Sequence, residues 1–159
     1  MILYHGSNME IRDPKLIPSK RLLDFGAGFY MTSDFKQAEK WALRTTRMRE
    51  IGVPTVSVFE IKEEELRKLE LLIFKSANKE WLRYISANRT GKPTDKVFDI
   101  IVGPVANDQT IRTINNYLKG YLPEDIAIQL LLPQKLKDQY AFRTEKALAF
   151  LKFREAKTV

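Results

Sequence analysis

The chain has 159 residues, 44% hydrophobic and 30% charged, with a formal net charge of +7; that balance predicts one domain, able to bury roughly 68–70% of its unfolded surface. No apolar run approaches the roughly 18 residues of a membrane span, and the absence of cysteine excludes disulfides, thiolate nucleophiles and sulfur-ligated metals. A single histidine leaves a zinc site short of ligands, while the basic excess would gather phosphate-bearing molecules, a dinucleotide or a nucleic acid, at an otherwise ordinary solvated surface.

In chain order, Ile2 to His5 reads as a short strand broken by Gly6-Ser7-Asn8. This terminus carries neither the basic stretch nor the cleavage site of an export signal, so cytoplasmic residence is expected. Residues 9–24 hold Pro14 and Pro18 among isolated apolar residues and read as an irregular crossing segment. Gly28 to Thr32 is a second strand. Ser33-Asp34 then caps an amphipathic helix in which Phe35, Ala38, Trp41 and Ala42 recur at three- and four-residue spacing, to about Arg49. Thr55 to Ile61 alternates and is rich in branched and aromatic side chains, the clearest strand of the chain. Leu69 to Phe74 supplies another strand, Asn78 to Ala87 a helix through Trp81, Leu82 and Ile85, and 88–96 a polar loop. Phe98 to Val102 is a buried strand ending at Gly103-Pro104, and helices follow over Asp108 to Leu118 and Pro123 to Leu132. Tyr140 to Thr144 alternates as a strand, and Glu145 to Leu151 holds one or two helical turns before a final strand. This irregular mixture, without repeat or linker, argues for a single α+β domain over 1–159 rather than a doubly wound sheet.

The lone histidine stands at a strand end in Tyr4-His5-Gly6-Ser7. Its ring either bonds locally or meets a ligand. Gly6 favours the ligand, because a residue without Cβ lets a planar carboxamide reach main-chain N–H and C=O groups; Ser7 would then bond a ribose hydroxyl. Phe25-Gly26-Ala27-Gly28-Phe29-Tyr30 is either a turn into a core strand or a glycine-spaced segment against which a flat ring lies. Its two glycines, with no strand before them, do not make a Rossmann loop. Trp41 reads as a core residue of its helix or as a ligand platform. Arg21 is a surface arginine or, through its planar fork, a diphosphate ligand, with Ser19, Lys20 and Asp24 as weaker candidates on that side. Gly103-Pro104 with Asn107-Asp108 is a strand end and a helix cap.

His5-Gly6-Ser7 followed by Phe25-Gly26-Ala27-Gly28-Phe29-Tyr30 resembles the His-Gly-Ser and Phe-Gly-x-Gly-(aromatic or aliphatic)-Tyr segments of ADP-ribosyltransferases of the diphtheria-toxin and poly(ADP-ribose) polymerase type. The whole chain, including the Asp99 to Asp108 stretch, also resembles a family of uncharacterised bacterial proteins. The resemblance implies an ADP-ribosyltransferase-like split β-sandwich of two antiparallel sheets flanked by helices, with NAD as co-substrate in the cleft between them and no metal. It implies that His5 bonds the nicotinamide ribose, that Gly6 holds the carboxamide, and that Tyr30, on the strand Gly28 opens, packs on nicotinamide. In the polymerases a second aromatic completes the nicotinamide sandwich, and its place here falls to Trp41.

The transferases also carry a glutamate just before a late strand, in a pattern resembling Asn-Glu-Tyr-(apolar)-x-Tyr. Here Asp138-Gln139-Tyr140-Ala141-Phe142-Arg143-Thr144 puts Gln139 at that catalytic position. Glu145 is the alternative, although it also reads as a first-turn helix residue behind a Thr144 cap. Breaking the nicotinamide–ribose bond develops oxocarbenium character, which a carboxylate stabilises by charge and glutamine only by a dipole. Gln139 cannot deprotonate an acceptor hydroxyl, so the acceptor must already be nucleophilic, or the base must come from Glu145 or from the target. The implied activity is transfer of ADP-ribose from NAD to a macromolecule, protein or nucleic acid, with release of nicotinamide. The implied setting is a bacterial toxin paired with an antitoxin protein, or phage defence. An NAD-binding module without turnover and an NAD glycohydrolase are the alternatives.

Overall fold

A computed structural model describes residues 1–159 apart from Ser19, Arg21, Thr94 and Asp95. Along the chain the elements are β1 (Ile2–Ser7), β2 (Phe29–Met31), α1 (Phe35–Arg49), β3 (Thr55–Glu60), α2 (Glu63–Leu66), β4 (Leu71–Ile73), α3 (Lys79–Arg89), β5 (Ile100–Pro104), α4 (Asp108–Leu118), α5 (Glu124–Leu131), β6 (Asp138–Phe142), α6 (Glu145–Leu148) and β7 (Lys152–Thr158). The class is α+β. Two sheets organise it, a three-stranded one in the order β1-β3-β7 and a four-stranded one in the order β2-β6-β5-β4.

The first sheet is antiparallel throughout. The second is mixed, which corrects the expected pair of antiparallel sheets: β2 and β5 run antiparallel to β6, whereas β4 pairs with β5 in parallel. The cause is α3, which carries the chain from β4 to β5; a strand–helix–strand crossover returns the chain in its original direction. β6 also begins earlier than its alternation suggests, because Asp138 and Gln139 pair with Pro104 and Gly103. Gln139 is therefore inside the strand. Thr144 lies beyond it and caps α6, its Oγ1 accepting from Ala147 N at 3.2 Å.

Strand alternation sorts the core into layers. Phe29, Met31, Ile100 and Phe142 of the second sheet meet Leu3 and Phe59 of the first, each such side chain contributing roughly 1.5–3 kcal/mol by leaving water. Residues one position over, Ile101 and Ala141, face the opposite way and pack with Trp81, Ile85, Ile114 and Leu131 of α3, α4 and α5, with Tyr30 at the margin. On the far side of the first sheet, Ala38 and Ala42 of α1 lie on Val56. Asp34 opens that helix, its Oδ1 accepting from Gln37 N at 2.8 Å, and Arg47 and Arg49 complement the dipole of its last turn. Among the described residues, no helix is long and apolar enough to cross a membrane.

The seam between the sheets positions the site. β1 and β2 share one isolated bridge, in which Tyr4 N donates to Thr32 O at 2.9 Å and Thr32 N to Tyr4 O at 3.0 Å. Continued in register, that ladder would next join Gly6 to Tyr30. Instead His5 Nδ1 bonds the Tyr30 carbonyl at 2.7 Å, and the seam opens.

Candidate functional site

A cleft of about 550 Å³ begins where the seam opens, within the range of small-molecule sites. His5 and Gly6 of β1, Tyr30 of β2, Trp41 of α1 and Gln139 of β6 all line it. Sequence reasoning linked these five, and the fold brings them together.

His5 owes its state to its partners. A carbonyl only accepts, so the bond to Tyr30 O places the proton on Nδ1 and leaves Nε2 as an acceptor. Burial, opposed by that bond and reinforced by the charge of Arg49, lowers the imidazole to about 4, so the ring is neutral near pH 7. Phe29 holds it flat, centroid to centroid at 4.2 Å and 26°. Because the imidazole has taken the Tyr30 carbonyl, the Gly6 N–H and C=O lose the partner the ladder would supply. By the two-residue period of the strand they share the direction of the Tyr4 groups, toward the seam.

Gly6 is also constrained from behind. A Cβ there would overlap the Ala38 carbonyl oxygen and come within 2.7 Å of Ala42 N, so the bare residue is what lets α1 lie directly on β1. Tyr30 presents its ring rather than its hydroxyl. The phenol donates to Gly26 O at 2.6 Å and accepts from Phe25 N at 3.1 Å, and burial pushes its pKa well above the usual tyrosine range, so it stays protonated. Gln139 is 4% exposed; its Nε2 donates to Pro104 O at 3.3 Å, which leaves Oε1 to accept from a ligand.

Other expected site residues fall outside the cleft. Ser7 is buried beside Asn8, its Oγ donating to Asn8 Oδ1 at 3.4 Å, and does not line the cavity. Gly28 faces β6, where a Cβ would come within 2.8 Å of Phe142 O; its role is strand packing. Glu145 opens α6 beyond the opposite end of β6 from Gln139 and does not reach the cleft. Arg21 and Ser19 lie outside the described residues. Asp24 does line the cleft, but its Oδ1 is bound by Arg89 Nε at 2.6 Å. Among the described residues, no group of three or more His, Asp or Glu side chains gathers that could hold a metal.

The profile of a family described as "Protein of unknown function (DUF3990)" matches residues 1–153. The chain belongs to the DUF3990 family. A search of the curated proteins returned no match. The DUF3990 region takes in every cleft-lining residue from His5 to Gln139, so the cleft lies wholly within the part this chain shares with its family.

Of one wall of the DUF3990 cleft, sequence reasoning found Trp41 alone. Arg44, Thr45, Met48 and Arg49 of α1 continue that wall, with Arg89 of α3 and Val105 also lining the cleft. Their positions follow the helical rule of three, four, seven and eight residues from Trp41. That stripe was the available signal, but the neighbouring Ala38 and Ala42 stripe accounts for the hydrophobic periodicity by itself, and the arginines read as mere surface charge. Arg49 is fixed in place, Nη1 donating to Asn8 Oδ1 at 2.8 Å.

Proposed function

We propose that the cleft binds NAD and that the protein transfers its ADP-ribosyl group to a macromolecular acceptor, releasing nicotinamide, on an ADP-ribosyltransferase-like split sandwich in the cytoplasm. The observation that carries this reading is the opened seam: a neutral histidine holds the Tyr30 carbonyl and so exposes the Gly6 backbone beside the Tyr30 ring. An unpaired N–H and C=O on one residue match the C=O and N–H₂ of a primary carboxamide, and flanking aromatic faces match its ring. Arg44 and Arg49 line the same cleft and would supply guanidinium donors to the diphosphate in this reading. His5 Nε2 accepts from a ribose hydroxyl in this reading, and Gln139 Oε1 accepts from another. In the reaction, the acceptor's nucleophilic atom bonds to C1 of the nicotinamide ribose as the C1–nitrogen bond breaks. The bonding pair leaves with nicotinamide. A role as a toxin held by an antitoxin protein, or in phage defence, rests on the resemblance alone.

A second reading, an NAD-holding module without turnover, is favoured by the lining itself. Asp24 is the only carboxylate among the described lining residues, and Arg89 neutralises it. Calorimetry with NAD and a nicotinamide-release assay separate the two. Expected results are saturable binding and, with acceptor present, release that falls roughly 10²–10³-fold in His5→Ala, the usual effect of removing one preorganised polar group. Binding without release selects the module, release without labelled acceptor a glycohydrolase, and no binding refutes both proposals.

A further inference from the structure

Beside the cleft lies a smaller groove of about 290 Å³, between the start of α1 and residues 135–137 that lead into β6. Lys36, Lys40, Lys135 and Lys137 line it against one carboxylate, Asp34. Lys137 pairs with Asp34 at 2.6 Å. Asp138, next in the chain, is turned to the sheet, where Thr32 Oγ1 and Ser33 N donate to it at 3.0 and 2.9 Å. Lys36, Lys40 and Lys135 are exposed and have no carboxylate partner among the described residues.

The groove leads into the cleft. Val105 lines both, and Lys36, Lys40 and Arg44 follow one another along α1 at four-residue spacing, about 6 Å of rise apart. Arg44 is already inside the cleft. A row of cations thus runs from open solvent to the site, an arrangement that tracks a polyanionic backbone rather than binding a single anion.

We propose that this groove seats the phosphodiester backbone of a single-stranded nucleic acid, and that a base of that strand is the acceptor. The proposal rests on the reading of the cleft as the donor site. A base ring nitrogen attacks with a lone pair: its bond to C1 of the ribose forms as the C1–nicotinamide bond breaks, neutral nicotinamide leaves, and the positive charge passes to the acceptor ring. No proton has to be removed. That suits a cleft whose one described carboxylate, Asp24, is committed to Arg89, and where Gln139 has no basic group to offer. A strand is the form that fits, since a base enters a protein cleft only when unpaired and unstacked.

The test is fluorescence anisotropy of labelled single-stranded DNA and RNA of about twelve nucleotides, titrated without NAD over a range of salt concentrations. The variants are Lys36→Gln/Lys40→Gln/Lys135→Gln and, for comparison, Lys62→Gln/Lys119→Gln/Lys152→Gln, three exposed lysines that line neither cavity. The groove variant is expected to bind at least about tenfold more weakly, with a log–log salt slope shallower by about 2, since each lost phosphate contact removes about 0.7. The comparison variant keeps the wild-type slope, and NAD calorimetry is unchanged in both. With labelled NAD, the wild type labels the oligonucleotide and the groove variant does not. Equal losses in the two variants, competition by poly-glutamate as strong as by the oligonucleotide, or preference for a duplex would overturn the seat. Because binding is read without NAD, the seat fails independently of the donor site; a wild type that does not bind NAD overturns the donor site and the acceptor step with it.

Discussion

His5 combines two jobs that a single side chain seldom carries, propping the seam open through Nδ1–H and presenting Nε2 as an acceptor to the cleft, and the second requires the neutral ring. Its folded value of about 4 lies below the unfolded 6.5, so between those values the unfolded chain binds the proton more tightly. Stability from this group is therefore complete above the unfolded value and is lost as pH falls through the window from 6.5 toward 4. From pH 7 to pH 5 the loss is about 2 kcal/mol. Urea unfolding of the wild type should show that loss. His5→Gln, which retains a donor for the Tyr30 carbonyl but does not titrate, should show it reduced to near zero. Equal slopes in the two proteins would mean that the ring is not held neutral. Gln139 has a comparable local logic: the Pro104 carbonyl, which already accepts from Trp81 Nε1 at 3.0 Å, takes Gln139 Nε2 as a second donor, which an amide supplies and an ionised carboxylate does not. The residue at this position is thus suited to the backbone it touches.

Among the elements, α1 carries the most information because it serves two layers: its Ala38 and Ala42 stripe packs on the first sheet while its Trp41 to Arg49 stripe walls the cleft. Gly6→Ala should push that helix off β1, costing about 2–3 kcal/mol for an overpacked contact and weakening NAD binding as the wall retreats. Chemical denaturation followed by calorimetry on the variant checks both effects, and unaltered stability would refute the contact. Much of this was legible in the sequence. β3 has strong alternation, α1 and α4 have Asp34 and Asn107 as caps, and all three fall close to the expected residues. The parallel pairing of β4 with β5 was not legible, because pairing direction depends on where α3 returns the chain rather than on the residues of either strand. The start of β6 was hidden because Asp138 and Gln139 are polar, and only their partners in β5 make them strand. The one-turn helix α2 is too short to leave a period. His5 and Gly6, read from the residues, and Tyr30, Trp41 and Gln139, read through resemblance, line one cleft as grouped, whereas the arginines beside them were not singled out for it, since a cation facing a cleft and one facing solvent look alike in a sequence.

At the scale of the molecule, two sheets packed through one apolar layer are joined across the β1–β2 seam by one backbone bridge and the His5–Tyr30 bond, and residues of both sheets line the cleft, so a ligand there would touch both at once. NAD at about a hundred times its Kd should add about 2.7 kcal/mol to the folded state. For a chain of this size that corresponds to a rise in Tm of roughly 5–10 °C. Thermal unfolding with and without NAD gives the answer: a wild type that does not shift, or a His5→Ala protein that shifts equally, counts against the donor site. The Tyr30 hydroxyl extends this dependence in another direction. Wedged between Gly26 O and Phe25 N, it hangs the chain that bears Leu22 to Asp24 from the same side chain whose ring floors the pocket. An inhibitor that spreads those residues to gain room must therefore drag the floor with it, so compounds lengthened on that side would trade grip for reach.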